Sequence, residues 1–204
     1  NVRGTVAGVS NNATLTIQQS GVAGSVTNLV GATGTNNGTV DLLANAGTFT
    51  NSGNITGNAA TSGTLASTGT IGGTLGVDGG TATIGAGGQV VGTSTITSGT
   101  LDVSGTVAGV TNNATLTVQQ TGSAGSVNNS LSGSGTNNGT VAALANAGTF
   151  TNSGNITGNA TTNGTLTSTG SIAGTLAVDG GSATIGAGGQ VSGASTENFG
   201  SMVV

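Results

Sequence analysis

Apolar and polar residues alternate over short stretches of this chain, and glycine or asparagine separates one stretch from the next. Ala13-Thr14-Leu15-Thr16-Ile17 and Leu101-Asp102-Val103 are two such stretches. Alternation with a period of two predicts β-strands that bury one face. Frequent glycine and β-branched residues oppose helix formation, and no segment has a helical period of useful length. The pattern therefore predicts an all-β chain of many short strands.

A smaller unit recurs between these strands: glycine, then Thr, Ser or Asn, then an apolar residue. Gly63-Thr64-Leu65 and Gly69-Thr70-Ile71 are examples, and apolar positions follow one another every 4 to 7 residues between Leu65 and Val107. A β-sandwich would use longer strands and bulkier core residues. Even spacing of short strands indicates a coil with three strands per turn and roughly 17–20 residues per turn.

The chain also contains a long repeat with an offset of 101 residues. Residues 4–28 return at 105–129, and 71 of the 92 positions from 4 to 95 are identical to their counterparts. We divide the chain into residues 1–103 and 104–204, and the second repeat diverges from residue 197, where ENFGSMVV replaces ITSGTLDV. An ungapped repeat of this length indicates a rigid structural register.

These patterns together predict a right-handed parallel β-solenoid of roughly 10–12 short turns. With about 4.8 Å between stacked strands, it would be a rod roughly 50–55 Å long. Val, Ile and Leu should form inner ladders, and Thr, Ser and Asn should form outer ones. Asn-Gly pairs, such as Asn37-Gly38 and Asn163-Gly164, should supply positive φ at tight corners, and the two Val-Asp-Gly-Gly motifs should form tight turns.

The amino-acid composition supports a thin core and limits the classes of partner that the chain can bind. Hydrophobic residues make up 33% of the chain and 42 residues are glycine, whereas Pro, Cys, His and Trp are absent. Arg3 is the only basic residue, and the net charge is −4. We therefore predict no nucleic-acid partner, because such binding needs a basic patch. The apolar runs are too short to span a bilayer, so we also predict no membrane insertion by this segment.

Candidate chemistry is sparse. Without His, Cys, Lys or Tyr the common catalytic bases and nucleophiles are missing, and we predict that the chain is not an enzyme. Asp78 and Asp102 could lie one turn apart, but solvated corner acids are the simpler interpretation. No turn carries a calcium-binding Gly-Gly-x-Gly-x-Asp run. We predict no catalytic residues, no metal site and no cofactor.

Thr-x-Thr pairs raise another possibility, because they could project paired hydroxyls from one flat face, as in ice-binding solenoids. Such pairs begin at Thr14, Thr48, Thr81 and Thr95. Their spacing along the chain is irregular, which argues against one aligned array. The equivalent residues Phe49 and Phe150 are better interpreted as stacked core residues than as platforms for sugars.

Residues 63–109, GTLASTGTIGGTLGVDGGTATIGAGGQVVGTSTITSGTLDVSGTVAG, resemble autotransporter passenger domains and related haemagglutinin-like adhesins of Gram-negative bacteria. The resemblance extends over nearly the whole chain as a style of repeat, without a diagnostic site. It implies a β-helical rod at the cell surface or outside the cell, of a kind that adheres to surfaces, aggregates cells or builds matrix. Host-surface or matrix glycans are the partners that it implies.

Our leading hypothesis is therefore a structural and adhesive extracellular rod, either a stalk or a fibre that polymerises head to tail. Asn1 aligns with Asp102 and Val204 with Val103, so copies could stack in register. The residues expected at such a contact are Val2, Arg3, Phe199, Met202, Val203 and Val204. The alternative is a solenoid face that binds glycans or ice through threonine ladders.

Overall fold

The computed structural model describes residues 1–204 and confirms the parallel β-solenoid. It contains 28 strands and no helix, and every strand pair is parallel within one continuous sheet. The sheet winds through about 12 turns. The right hand of the coil stays a prediction.

The strands of the first part of the chain are β1 (Thr5–Val6), β2 (Val9–Asn11), β3 (Thr14–Ile17), β4 (Val22–Asn28), β5 (Thr33–Asn36), β6 (Thr39–Asn45), β7 (Thr48–Asn51), β8 (Asn54–Ile55), β9 (Ala59–Thr61), β10 (Thr64–Ser67), β11 (Thr70–Ile71), β12 (Leu75–Ile84) and β13 (Gln89–Val103). Those that follow are β14 (Thr106–Asn112), β15 (Thr115–Val118), β16 (Ser123–Asn129), β17 (Ser134–Asn137), β18 (Thr140–Asn146), β19 (Thr149–Asn152), β20 (Asn155–Ile156), β21 (Ala160–Thr162), β22 (Thr165–Ser168), β23 (Ser171–Ile172), β24 (Leu176–Asp179), β25 (Ser182–Ile185), β26 (Gln190–Val191), β27 (Ser195–Asn198) and β28 (Ser201–Val203).

Each turn has three faces, which we name A, B and C in chain order. In one early turn, face A is β3, face B is residues 22–23 and face C is residues 26–28. Some strands continue around a corner: β4 serves faces B and C, and β13 contributes to all three. Pairing from turn to turn keeps each face in register along the rod.

One 101-residue repeat is six complete turns. Along face A, successive partners of Val2 lie 15, 19, 15, 16, 17 and 19 residues further on, which leads to Val103. The second repeat follows the same order of turn lengths. Three of the six turns lie within the 17–20 residues that we expected, and the other three are shorter, at 15 or 16 residues.

The core is a single column of apolar side chains along the rod axis. Thirty-seven buried residues form one cluster, and Phe49 and Phe150 lie fully inside it, as predicted. Each phenyl ring occupies the space left by a glycine of the preceding turn: a Cβ on Gly34 would lie 2.3 Å from Phe49 Cδ2, and Gly135 has the same relation to Phe150. Large and small residues are therefore matched between neighbouring turns.

The corners use glycine in two different ways. Gly79 and Gly180 of the Val-Asp-Gly-Gly motifs have φ of 95° and 86°, and the strand register shifts around Asp78, so these glycines form a corner within or beside a strand. The glycines of the Asn-Gly pairs have no positive φ, so that expectation was wrong. Gly38 is required instead for close stacking of corner backbones, because its Cβ would lie 2.2 Å from the carbonyl oxygen of Gln18.

Candidate functional site

Face A presents two parallel columns of hydroxyl-bearing side chains to solvent. Alternation along each strand directs Leu15 and Ile17 inward and Thr14 and Thr16 outward. The first column is Thr14, Thr33, Thr48, Thr64, Thr81, Thr100, Thr115, Ser134, Thr149, Thr165, Ser182 and Ser201. The second is Thr16, Thr35, Thr50, Ala66, Thr83, Asp102, Thr117, Thr136, Thr151, Thr167, Thr184 and Val203. We call these two columns the hydroxyl face.

The hydroxyl face is a rectangular array with two short spacings, one along the rod and one across it. Neighbours within a column are on stacked strands about 4.7–4.9 Å apart, and the two columns are about 6.6–6.8 Å apart, which is two residues of extended strand. All its side chains are exposed or half-buried. None of the hydroxyls in the two columns makes a side-chain hydrogen bond within the protein, unlike those of Thr56 and Ser67, so the hydroxyls of this face are available to a ligand.

The regularity of this face was missed in the sequence. The pairs at Thr14, Thr48 and Thr81 lie on face A, and differences in corner length account for their irregular spacing along the chain. The pair at Thr95 is different, because Thr95 lies on face C. A usable signal was present: a glycine or alanine precedes every residue of the first column. At Gly63, for example, a Cβ would lie 2.1 Å from the carbonyl oxygen of Gly47.

Only three positions of the second column lack a hydroxyl: Ala66, Asp102 and Val203. Asp102 is half-buried and its Oδ1 accepts a hydrogen bond of 2.8 Å from Gln119 Nε2. It is the only charged residue of the hydroxyl face. The array is therefore nearly neutral over its whole length.

Buried amide ladders stiffen the backbone behind and beside the hydroxyl face. On face A, Asn36 Nδ2 donates to Asn51 Oδ1 at 2.8 Å, and Asn51 Nδ2 donates to Ser67 Oγ at 3.0 Å. On face C, a ladder runs from Asn11 through Asn28 to Asn45 with bonds of 2.7 and 2.8 Å. The second repeat contains both ladders again.

These ladders correct the expectation that asparagine forms outer ladders. The ladder asparagines are buried, and their amide groups also bond backbone carbonyls at the corners, as Asn28 Nδ2 does with Thr48 O at 3.0 Å. A buried amide is stable only when its donors and acceptor are paired. Stacking identical amides on consecutive turns provides that pairing.

The acidic residues are dispersed over the rod. Asp78 accepts a hydrogen bond from Ser98 at a corner after face C, whereas Asp102 lies on face A. The two are therefore not stacked, contrary to the geometry that we considered. Asp41 and Asp179 accept hydrogen bonds from Thr56 and Asn198. No group of three or more acidic side chains comes together.

Face C carries a shallow apolar groove in the first repeat. Its floor is Ala44, Ala60 and Gly76, and Leu29 and Leu42 are exposed at its edges. The equivalent positions of the second repeat include Ser130 and Ala143, which replace Leu29 and Leu42. The two repeats therefore differ in the apolar groove of face C, whereas face A keeps a hydroxyl at most of its outward positions in both.

The residues predicted for end-to-end contact lie in the first and last turns. Val2 is buried and bridges to Ile17, and Arg3 is exposed. Phe199 is fully exposed with a φ of 56°, and Met202 packs against the end of the core. Val203 and Val204 are exposed. Their part in assembly stays a prediction.

Comparisons with protein-family models, with curated protein sequences and with solved structures found no match to this chain. The chain has no helix of the length and apolar character needed to cross a membrane.

Proposed function

We propose that this chain is a rod segment of an extracellular bacterial surface protein, with a structural and adhesive role. The observation that carries the proposal is the relation between repeat and coil: one 101-residue repeat makes six complete turns. Repeats of this kind can be added without any change of register, so that length becomes adjustable while the faces stay continuous.

The same relation supports assembly between copies. Parallel strands at the two ends of a solenoid have unpaired backbone groups, and a second copy whose first turn follows the last would meet them in phase. Contacts of this head-to-tail type are heterologous and produce open filaments. Through self-association of this kind, the rod would build a fibre or a matrix.

Adhesion would use the long faces, because they offer similar contacts that recur from turn to turn. Weak contacts that repeat along a rigid rod combine into strong attachment without any deep pocket. Glycans of a host surface or matrix are the proposed partners, and the cell surface or extracellular space of a Gram-negative bacterium is the proposed location. The style of repeat seen in residues 63–109 supports both.

The rod proposal is tested by changing the number of repeats. Inserting a further copy of residues 3–103 after Val103 adds six turns, which should lengthen the rod by about 29 Å at about 4.8 Å per turn. Small-angle scattering measures the maximum dimension and the cross-section, and the cross-section should not change. A particle that becomes wider instead of longer would overturn the proposal.

A further inference from the structure

We propose that the hydroxyl face binds the surface of hexagonal ice. This goes beyond the rod function, and it holds whether or not the rod adheres to cells. The first step is the shape of the ligand. An array that repeats over about 12 turns, with no cleft along it, matches a ligand that is itself flat, extended and periodic.

The second step is the spacing. Hydroxyls of the array repeat about every 4.7–4.9 Å along the rod and about 6.6–6.8 Å across it. The prism faces of hexagonal ice also repeat their oxygen positions on a rectangular lattice, with one side slightly shorter and the other slightly longer than these two distances. Water held by the hydroxyls would then lie near positions that continue into the crystal, and it would bridge the protein to the ice.

The third step is preorganisation. Threonine has a restricted χ1 because it is branched at Cβ, and both columns stand on paired strands that the Asn36–Asn51–Ser67 ladder and its copy support from inside. A rigid array loses little conformational entropy on binding. Many weak contacts then add along the rod, because the rigid backbone holds all of the hydroxyls at the ice surface together.

The fourth step is charge and chemistry. Charged surfaces attract charged partners, and this face has one carboxylate, Asp102, and no cation. Phe49 and Phe150 lie buried beneath it, so it offers no aromatic ring on which a sugar could stack. An uncharged lattice of water fits these features better than a polyelectrolyte or a single polysaccharide chain.

The test uses the whole 204-residue chain and compares charges placed on two faces. Thr50→Lys and Thr151→Lys put a long charged side chain at equivalent exposed positions of the hydroxyl face. Thr27→Lys and Thr161→Lys are the matched controls, because these threonines are exposed on face C of the same two repeats. Circular dichroism and melting temperature check that all four variants are folded.

Two readouts are measured on each protein: the gap between the melting and freezing temperatures of a single ice crystal, and partition of the protein into growing ice. We expect the unchanged chain and the face C variants to show both effects. The face A variants should lose most of the freezing gap and stay in the liquid. Asp102→Thr, which fills an interruption of the second column, should widen the gap.

Several outcomes would overturn the proposal. The unchanged chain could fail to enter ice, or the face A and face C variants could behave alike. A third contrary result would be retention on insoluble crystalline polysaccharide without partition into ice, which would assign the face to a glycan. Rod length, measured separately by scattering, is independent of all three results.

Discussion

Gly34 and Phe49 show how the size of one core residue is matched to that of its neighbour on the next turn. The phenyl ring of Phe49 fills the space where a Gly34 side chain would be, and both residues are buried. The strands that carry them are paired in register, so neither backbone can move away without breaking ladder hydrogen bonds. Glycine at position 34 is thus a packing residue rather than a turn residue.

Gly34→Ala should therefore destabilise the rod. The new Cβ would lie 2.3 Å from Phe49 Cδ2, and overpacking of this kind costs roughly 1–3 kcal/mol. Chemical denaturation measures the change in unfolding free energy. Gly76→Ala is the control, since its Cβ would meet only Ala60 Cβ at 4.0 Å. Equal stability of the two variants would contradict this account of the core.

Ser94 is the one residue with a buried side-chain polar atom that has no hydrogen-bond partner. Its side chain is buried on face C between Leu75 and Val110, and its Oγ has no hydrogen-bond partner. The other buried serines, Ser67 and Ser168, accept hydrogen bonds from ladder asparagines. An unpaired buried hydroxyl costs free energy, and we find no structural feature that explains it here.

At the scale of the element, the amide ladders connect neighbouring turns. Asn129 illustrates this: its Oδ1 accepts from Asn112, and its Nδ2 donates to Asn146 and to the carbonyl of Thr149. One side chain thus joins three turns. Each repeat contains this arrangement once on face C, with Asn28 as the equivalent residue.

Asn129→Ala should open the second repeat locally. Removing this amide leaves the Asn112 donor and the Asn146 acceptor without their ladder partner, and each unsatisfied buried group costs roughly 1–3 kcal/mol. Amide hydrogen exchange around residues 112–149 should accelerate, while the Asn28 ladder in the first repeat provides an internal reference. Asn128→Ala is the control, because Asn128 is exposed on the same strand. Faster exchange spread evenly over both repeats would contradict the local role.

The sequence was sufficient to predict strands, parallel stacking and the buried phenylalanines, because these depend on local alternation and on the 101-residue repeat. It was not sufficient for properties that depend on corner length. Thr14, Thr33 and Thr48 are unevenly spaced along the chain and yet stack on one face. Similarly, polarity alone suggested that Asn28 faces solvent, whereas a stacked partner of the same type makes its burial favourable.

At the scale of the whole molecule, the rod is a one-dimensional array. Each turn contacts only its neighbours, so stability should be close to a sum of turn and interface terms. The two repeats have the same turn lengths, and they differ in single side chains, such as Leu42, which is replaced by Ala143. Because a repeat is a whole number of turns, removing one repeat should leave the contacts among the remaining turns unchanged.

Deletion of residues 51–151 tests this modularity, because it joins Thr50 to Asn152 and so restores the natural Thr-Asn pair of face A. The shortened chain should fold into six turns, and its denaturant m-value should fall to about half, since m scales with the surface exposed on unfolding. Deletion of residues 51–142 removes less sequence, yet it joins a face A strand to a face C strand and leaves a turn without face B. That chain should not unfold in a single cooperative transition. If both deletions unfolded with the same m-value, the whole-turn register would not be what holds the rod together.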